Sequence, residues 1–244
     1  MFNNFKIDKN KLYQNIALLI VALIIGVIVS AVAQLLIITA QNVFEFIFLN
    51  EHYKLSYTIF DFELNLIPLL VCIPASIIVG IIMLFLKLPR WFGPADTIFA
   101  AHNKAGKLDL KGGFGSTLAS LVSIGGGASV GIYGPLVHFG ATISAFLRRL
   151  KFMPKIQHDI IIGSGVAAAI SAAFGAPLAG IIFAHETVLR HFSLKAITSI
   201  ALSSITANYA AYKIGIVTPP LLLEKNNFEL SDIIFGLLLI GPLA

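Results

Sequence analysis

Charge is absent from five stretches of this 244-residue chain that are long enough to enter or cross a bilayer, and glycine and proline divide them into straight and broken segments. Residues 16–40 come first, with 25 positions and no charge. At a rise of about 1.5 Å per residue against a hydrocarbon core about 30 Å thick, this run predicts a spanning helix with some tilt. It exceeds the h-region of a secretory signal, about 7 to 15 residues, so it should remain in the mature chain. Residues 64–86 form a second run of 23 uncharged positions, with Pro68 and Pro74 read as kinks.

Residues 112–147 are a different case, because 36 uncharged positions would make a straight helix about 54 Å long. The run has to break. GGGASVGIYGP at 125–135 carries the breakers, and the interruption is expected at Gly131 to Pro135, leaving arms of roughly 19 and 14 residues. Residues 160–184 repeat the theme with an interruption at Gly175 to Pro177, and their Ala- and Gly-rich stretch at 167–173 is read as close helix packing. Residues 196–212 are a span of minimum length, and residues 218–223, with Pro219 and Pro220, read as a loop. The 12 uncharged positions after Asp232 are too few to cross a bilayer, so the chain is expected to stop within a helix.

Composition agrees with this pattern. The chain is 57% hydrophobic and 12% charged, with a mean hydropathy of +0.90, about half the charge of a soluble domain. Its net charge of +5 comes from few, scattered basic residues, which argues against a nucleic-acid surface and for topology signals. Lys6, Lys9 and Lys11 precede the first run, and Lys87 and Arg90 follow the second. Residues 1–15 are therefore expected in the cytoplasm, ahead of a membrane domain over 16–244. Lys107 and Lys111 before the broken run, with Arg148, Arg149, Lys151 and Lys155 after it, predict a hairpin returning to the cytoplasm. Cys72 has no partner for an intrachain disulfide.

Enzyme-like patterns are present but lack their context. Residues 127–131 fit G-x-S-x-G, with Ser129 as nucleophile and Glu186 and His191 following as acid and base. That elbow needs a strand before it, and the preceding residues are of membrane-helix type. GSGVAA at 163–168 matches a dinucleotide fingerprint without a sheet to host it, and HETVLRH at 185–191 lacks the second histidine four residues after the first. No cofactor or metal is read from these patterns.

The chemistry that remains belongs to the broken helices. A half-helix leaves N–H groups unpaired at its amino end and carries about half a positive charge there. At membrane depth such an end is tolerated where it lines a cavity or meets an ion. The amides of Ile132, Tyr133 and Gly134 form a candidate anion nest, with Gly131 before them for space and Pro135 opening the next helix.

At this point the residues resemble a known family. GGGASVGIYGPLVHFGA is similar to the GGG…G-R-E-G-P signature of the CLC chloride channels and chloride/proton exchangers. GSGVAAAISAAFGAPLAGIIFAHET resembles that family's F-N-A-P-L-A-G segment, in the right order and spacing. RWFGP at 90–94 lies where the family has its G-S-G-I-P loop and retains Gly93 and Pro94. The resemblance implies an all-α, multi-spanning membrane protein with re-entrant helices, the first half of an inverted-repeat fold. It further implies a homodimer in the plasma (inner) membrane that carries small anions such as chloride. Tyr133 stands at the family's gating glutamate; Glu186 is retained at the first of two inner positions and Thr187 replaces the second, proton-accepting one. A phenol titrates near pH 10 and cannot cycle a proton near neutrality as a carboxylate does, so the expected anion movement is not proton-coupled.

Overall fold

The computed structural model describes residues 9–49, 56–59, 62–65, 67–103, 108–128, 131, 133–149 and 158–214. Ser129, Ile132, Lys107, Lys151, Lys155, the loop at 218–223 and the terminal run after Asp232 lie outside them.

Eight α-helices carry the described chain: α1 Lys9–Phe44, α2 Ile67–Leu86, α3 Pro94–His102, α4 Leu110–Gly125, α5 Tyr133–Arg148, α6 His158–Phe174, α7 Pro177–Phe183 and α8 Leu194–Ile214. π-helical segments extend α1 over Glu45–Leu49 and α7 over Ala184–Leu189. The all-α expectation holds for every membrane-length element. The departure is a short antiparallel hairpin, β1 Ser56–Ile59 with β2 Phe62–Asn65, in register Ser56 to Asn65. Leu64, expected at the head of the second apolar run, is a strand residue, and the helix begins at Ile67.

α1 exceeds the expected 25-residue span: with its π-helical extension, residues Tyr13–Phe48 form one continuous apolar helix of 36 residues. Its buried face, Leu18, Ala22, Ile25, Val29, Ala33, Ile37 and Ala40, repeats every three or four residues and packs on α6 and α8. The other face exposes Ile16, Ile20, Leu23, Val27 and Leu35. α2 shows Leu70, Ile73, Ile77, Ile81, Leu84 and Phe85 outward. Such apolar stripes suit contact with acyl chains rather than water. Pro74 is interior to α2, whereas Pro68 is only its second residue, where no intrahelical N–H is lost. The kink expected at Pro68 is therefore a helix start.

The long uncharged run breaks earlier than expected. α4 stops at Gly125, and a pair of closing bonds ends it: Gly127 N–H donates to the Ile124 carbonyl at 2.9 Å, and Ala128 N–H to that of Ser123 at 3.0 Å. This is a Schellman cap with Gly127 at φ +87, a left-handed angle that glycine adopts without a Cβ clash. The arms are 16 residues each rather than 19 and 14, and Pro135 sits in the first turn of α5 as expected. The second break is where the sequence placed it: α6 ends at Phe174, Gly175 takes φ +65, and Pro177 opens α7.

Small and hydroxylated residues hold α5, α6 and α8 together. A Cβ at Gly140 would stand 2.5 Å from the Gly165 carbonyl oxygen, so α5 and α6 cross with their backbones in contact. Ala167, Ala168, Ala169 and Ala172 are buried, in keeping with the packing role read from the sequence. Ser171 Oγ donates to the Ser204 carbonyl at 2.7 Å, and Ser204 Oγ to the Pro177 carbonyl at 2.8 Å. These bonds tie the second break to α8. From α1, Ser30 Oγ reaches the Ala207 carbonyl at 2.8 Å and Gln34 Nε2 the Ala172 carbonyl at 2.6 Å.

Candidate anion site

Three helix starts meet around one cavity of about 510 Å³. Pro94 represents α3, while Tyr133, Gly134 and Val137 come from α5. Ala176, Ala179 and Phe183 come from the α7 side, and Ile170 and Phe174 from the last turns of α6. Both breaks thus open onto the same space, although residues 133 and 176 are far apart in sequence.

A Cβ on Gly134 would lie 3.7 Å from Pro94 Cγ, so the first turns of α3 and α5 are near neighbours with room between them for no more than a methyl group. Nothing stands within 4 Å of the position a Cβ would take on Gly131, which leaves that approach open. The Tyr133 and Gly134 amides occupy the first turn of α5, where a helix leaves its N–H groups without intrahelical acceptors. Pro135 has no N–H to offer.

α3 presents a different end. Asp96, in its first turn, accepts from the Gly93 N–H at 2.8 Å and pairs with Arg90. The Arg90 guanidinium, as hydrogen-bond partner first and as nearby charge as well, holds the Asp96 carboxyl below its ordinary range. Gly93 is therefore already committed to an internal anion, and Pro94 lends the cavity a ring rather than a donor. Of the described residues singled out in the sequence, Pro94, Tyr133 and Gly134 line the cavity, whose wall is otherwise apolar.

The Tyr133 side chain is partly exposed, and its ring stacks on Phe174 with centroids 3.9 Å apart and planes 25° from parallel. The residue at the first break thus touches the last residue of α6 at the second. Glu186 and Thr187 lie on the π-helical segment after α7, Glu186 exposed and Thr187 half-buried, and neither lines the cavity. That segment turns His185 inward, fully buried and stacked on Phe192 at 5.2 Å.

Residues missed in the sequence act as supports. Thr97 of α3 and His138 of α5 are both buried and joined at 2.8 Å between Oγ1 and Nδ1. Their spacings from Pro94 and Tyr133 place them one helical turn or so behind the cavity, the only sequence signal that could have marked them. As for the hydrolase pattern, the segment leading to Gly127 is helix α4, not the strand a nucleophile elbow requires.

Comparison with known proteins follows the same lines. The family model of the voltage-gated chloride channel matches residues 75–244. A voltage-gated ClC-type chloride channel, ClcB, of Salmonella typhi is 30% identical over 119 residues, covering 48% of this chain and 28% of that protein. An H(+)/Cl(-) exchange transporter, ClcA, of Yersinia pestis is 33% identical over 129 residues, covering 52% of this chain and 24% of that protein. The matched region thus spans about a quarter of each relative's length. Among solved structures, a slow cyanobacterial Cl-/H+ antiporter superposes with a TM-score of 0.63 at 20% identity, over 91% of this chain and 53% of its own. That likeness speaks to the fold.

Proposed function

The chain belongs to the voltage-gated chloride channel family, and from that premise we propose that it builds part of a chloride-type anion pathway, with the ion held at the start of α5 and Tyr133 as gate. The observation that carries this reading is the meeting of α3, α5 and α7 at one cavity whose wall includes Tyr133 and Gly134. An anion there would draw on the Tyr133 and Gly134 amides and the positive end of α5, in surroundings dry enough to strengthen both. Gly131 and Ile132 form the approach in this reading, and Pro135 sets the direction of α5.

The movement is passive in this proposal. A carboxylate at the gate would compete with chloride for the same amides until protonated, and so link the two ions. Tyr133 offers a neutral ring instead, parked against Phe174, and Thr187 offers no titratable group at the inner position. The relatives include both a channel and a proton exchanger by name; the tyrosine favours the uncoupled type.

The protein acts as a homodimer in the inner membrane, with residues 1–15 cytoplasmic and residues 16–244 as the CLC-like membrane domain, corresponding to the first of two inverted halves. It is a carrier of ions rather than an enzyme. Paired chloride and proton flux from the full gene product in liposomes tests the proposal: chloride flux without stoichiometric proton movement is expected. Stoichiometric proton uptake would overturn the uncoupled mechanism, and absence of any anion flux would overturn the transport reading.

A further inference from the structure

The cavity where α3, α5 and α7 meet is walled by rings and aliphatic chains. Pro94, Tyr133, Phe174 and Phe183 supply the rings, and Val137 and Ile170 the branched side chains. Resting on the anion reading above, we propose that this pathway favours weakly hydrated monovalent anions, such as thiocyanate and iodide, over chloride, and admits fluoride least.

Polar groups close in sequence to these walls are turned to other partners. On α3, the Thr97 hydroxyl meets His138 Nδ1 at 2.8 Å, and the Gly93 N–H donates to Asp96 at 2.8 Å. At the second break, Ser171 Oγ donates to the Ser204 carbonyl and Ser204 Oγ to that of Pro177. Arg90, the cation just before α3, is paired with Asp96. Among the described residues that line the cavity no side chain carries a charge, and the Tyr133 hydroxyl is the one polar side-chain group. An ion is left with the Tyr133 and Gly134 amides, one helix end rather than a cage.

A buried water needs about two to four polar partners, and rings and methyl groups provide none. An entering ion therefore leaves most of its hydration shell outside. The field of the α5 end acts on charge, which is the same for every monovalent anion, so the cost of shedding water sets the order. That cost is smallest for large anions of diffuse charge and largest for fluoride. With so few donors, the closer approach of a small ion does not recover its greater loss of water. Large, polarisable anions gain in addition from dispersion contacts with the rings. The stacking of Tyr133 on Phe174, with centroids 3.9 Å apart, covers one face of each ring with the other, which withdraws negative ring faces that would repel an anion. A space of about 510 Å³ does not exclude the larger ions by size.

The test is bi-ionic flux of the full gene product in liposomes with thiocyanate, iodide, chloride and fluoride, after subtraction of the flux in protein-free liposomes. Thiocyanate and iodide are expected to permeate several-fold faster than chloride, and chloride faster than fluoride. Phe174→Tyr and Ala179→Asn each add a donor to the wall, and each should shift the iodide-to-chloride ratio toward chloride by up to about tenfold, the usual worth of a hydrogen bond to a charged group. Chloride permeating as fast as thiocyanate and iodide in the wild type would overturn the selectivity and leave the anion pathway standing. An iodide-to-chloride ratio unchanged in both variants would overturn the assignment of selectivity to these walls. Absence of flux for every anion would instead overturn the anion reading, and this inference with it.

Discussion

The Thr97 hydroxyl stands 2.8 Å from His138 Nδ1, inside the crossing of α3 and α5. It is a polar tie between two half-helices whose starts, at Pro94 and Tyr133, line one cavity. Removing it leaves a ring whose Nε2 already has no partner with a second unsatisfied nitrogen. Thr97→Val should therefore destabilise the protein by about 1–3 kcal/mol, whereas Thr97→Ser, which keeps the hydroxyl, should cost less. Thermal unfolding in detergent checks the pair, and a loss in Thr97→Ser with none in Thr97→Val would show that the methyl group, not the hydrogen bond, is what matters.

At Tyr133, chemistry rather than packing should decide the outcome. Tyr133→Glu should introduce flux that rises as pH falls, because the new carboxylate vacates the α5 amides only when protonated. Tyr133→Ala should raise flux and leave its pH response flat. Liposome flux between about pH 5 and 8, the range over which an introduced carboxylate at an anion site would change charge, is the measurement. Wild-type rates in both variants would remove Tyr133 from the pathway.

The contact of Gly140 with Gly165 leaves no room for a side chain. A Cβ on Gly165 would strike Ser144 Oγ and the Gly140 carbonyl. Gly165→Val should cost about 1–3 kcal/mol or more from overpacking, seen as a lowered midpoint in thermal unfolding. Gly80, with nothing within 4 Å of its Cβ position, provides the contrast; Gly80→Ala should be neutral or slightly stabilising.

Acid should weaken the start of α3. The Asp96 carboxyl is held below its ordinary 3.8 mainly by Arg90, and Arg90 is raised in turn, so both partners report the same attraction. A depressed carboxyl contributes stability that is complete above the ordinary value and disappears as pH falls through the lowered one. The gap in unfolding midpoint between wild type and Asp96→Asn should hold from neutrality to about pH 4 and close below it. A gap that persists unchanged in stronger acid would mean that the carboxylate charge contributes nothing. Because the Arg90 partner is 60% exposed, although Asp96 is only 19% exposed, the effect should be small.

Sidedness can be read with a single thiol. In a Cys72→Ala background, Lys151→Cys should react with a membrane-impermeant maleimide only after cells are opened, since the basic residues after α5 favour the cytoplasm. Labelling of intact cells would reverse the hairpin.

What the sequence determined by itself was the class of molecule and the existence of its breaks. Uncharged runs longer than a bilayer is thick cannot remain single helices, and that constraint holds before any packing is known. Gly175 to Pro177 was legible for the same local reason, since a left-handed glycine followed by proline is a complete stop and start. The first break was misplaced because three consecutive glycines and Gly131 offer several stops, and the choice of Gly127 rests on two capping bonds to Ile124 and Ser123. Only the tertiary structure decided what faces what. It brought Phe174 under Tyr133, gave the Gly93 amide to Asp96 and joined Thr97 to His138. Local chemistry and hydrophobic period are written along a chain, but contacts between residues tens of positions apart depend on how helices cross. In this protein those crossings are set by where Gly140, Gly165 and the α8 serines let backbones meet.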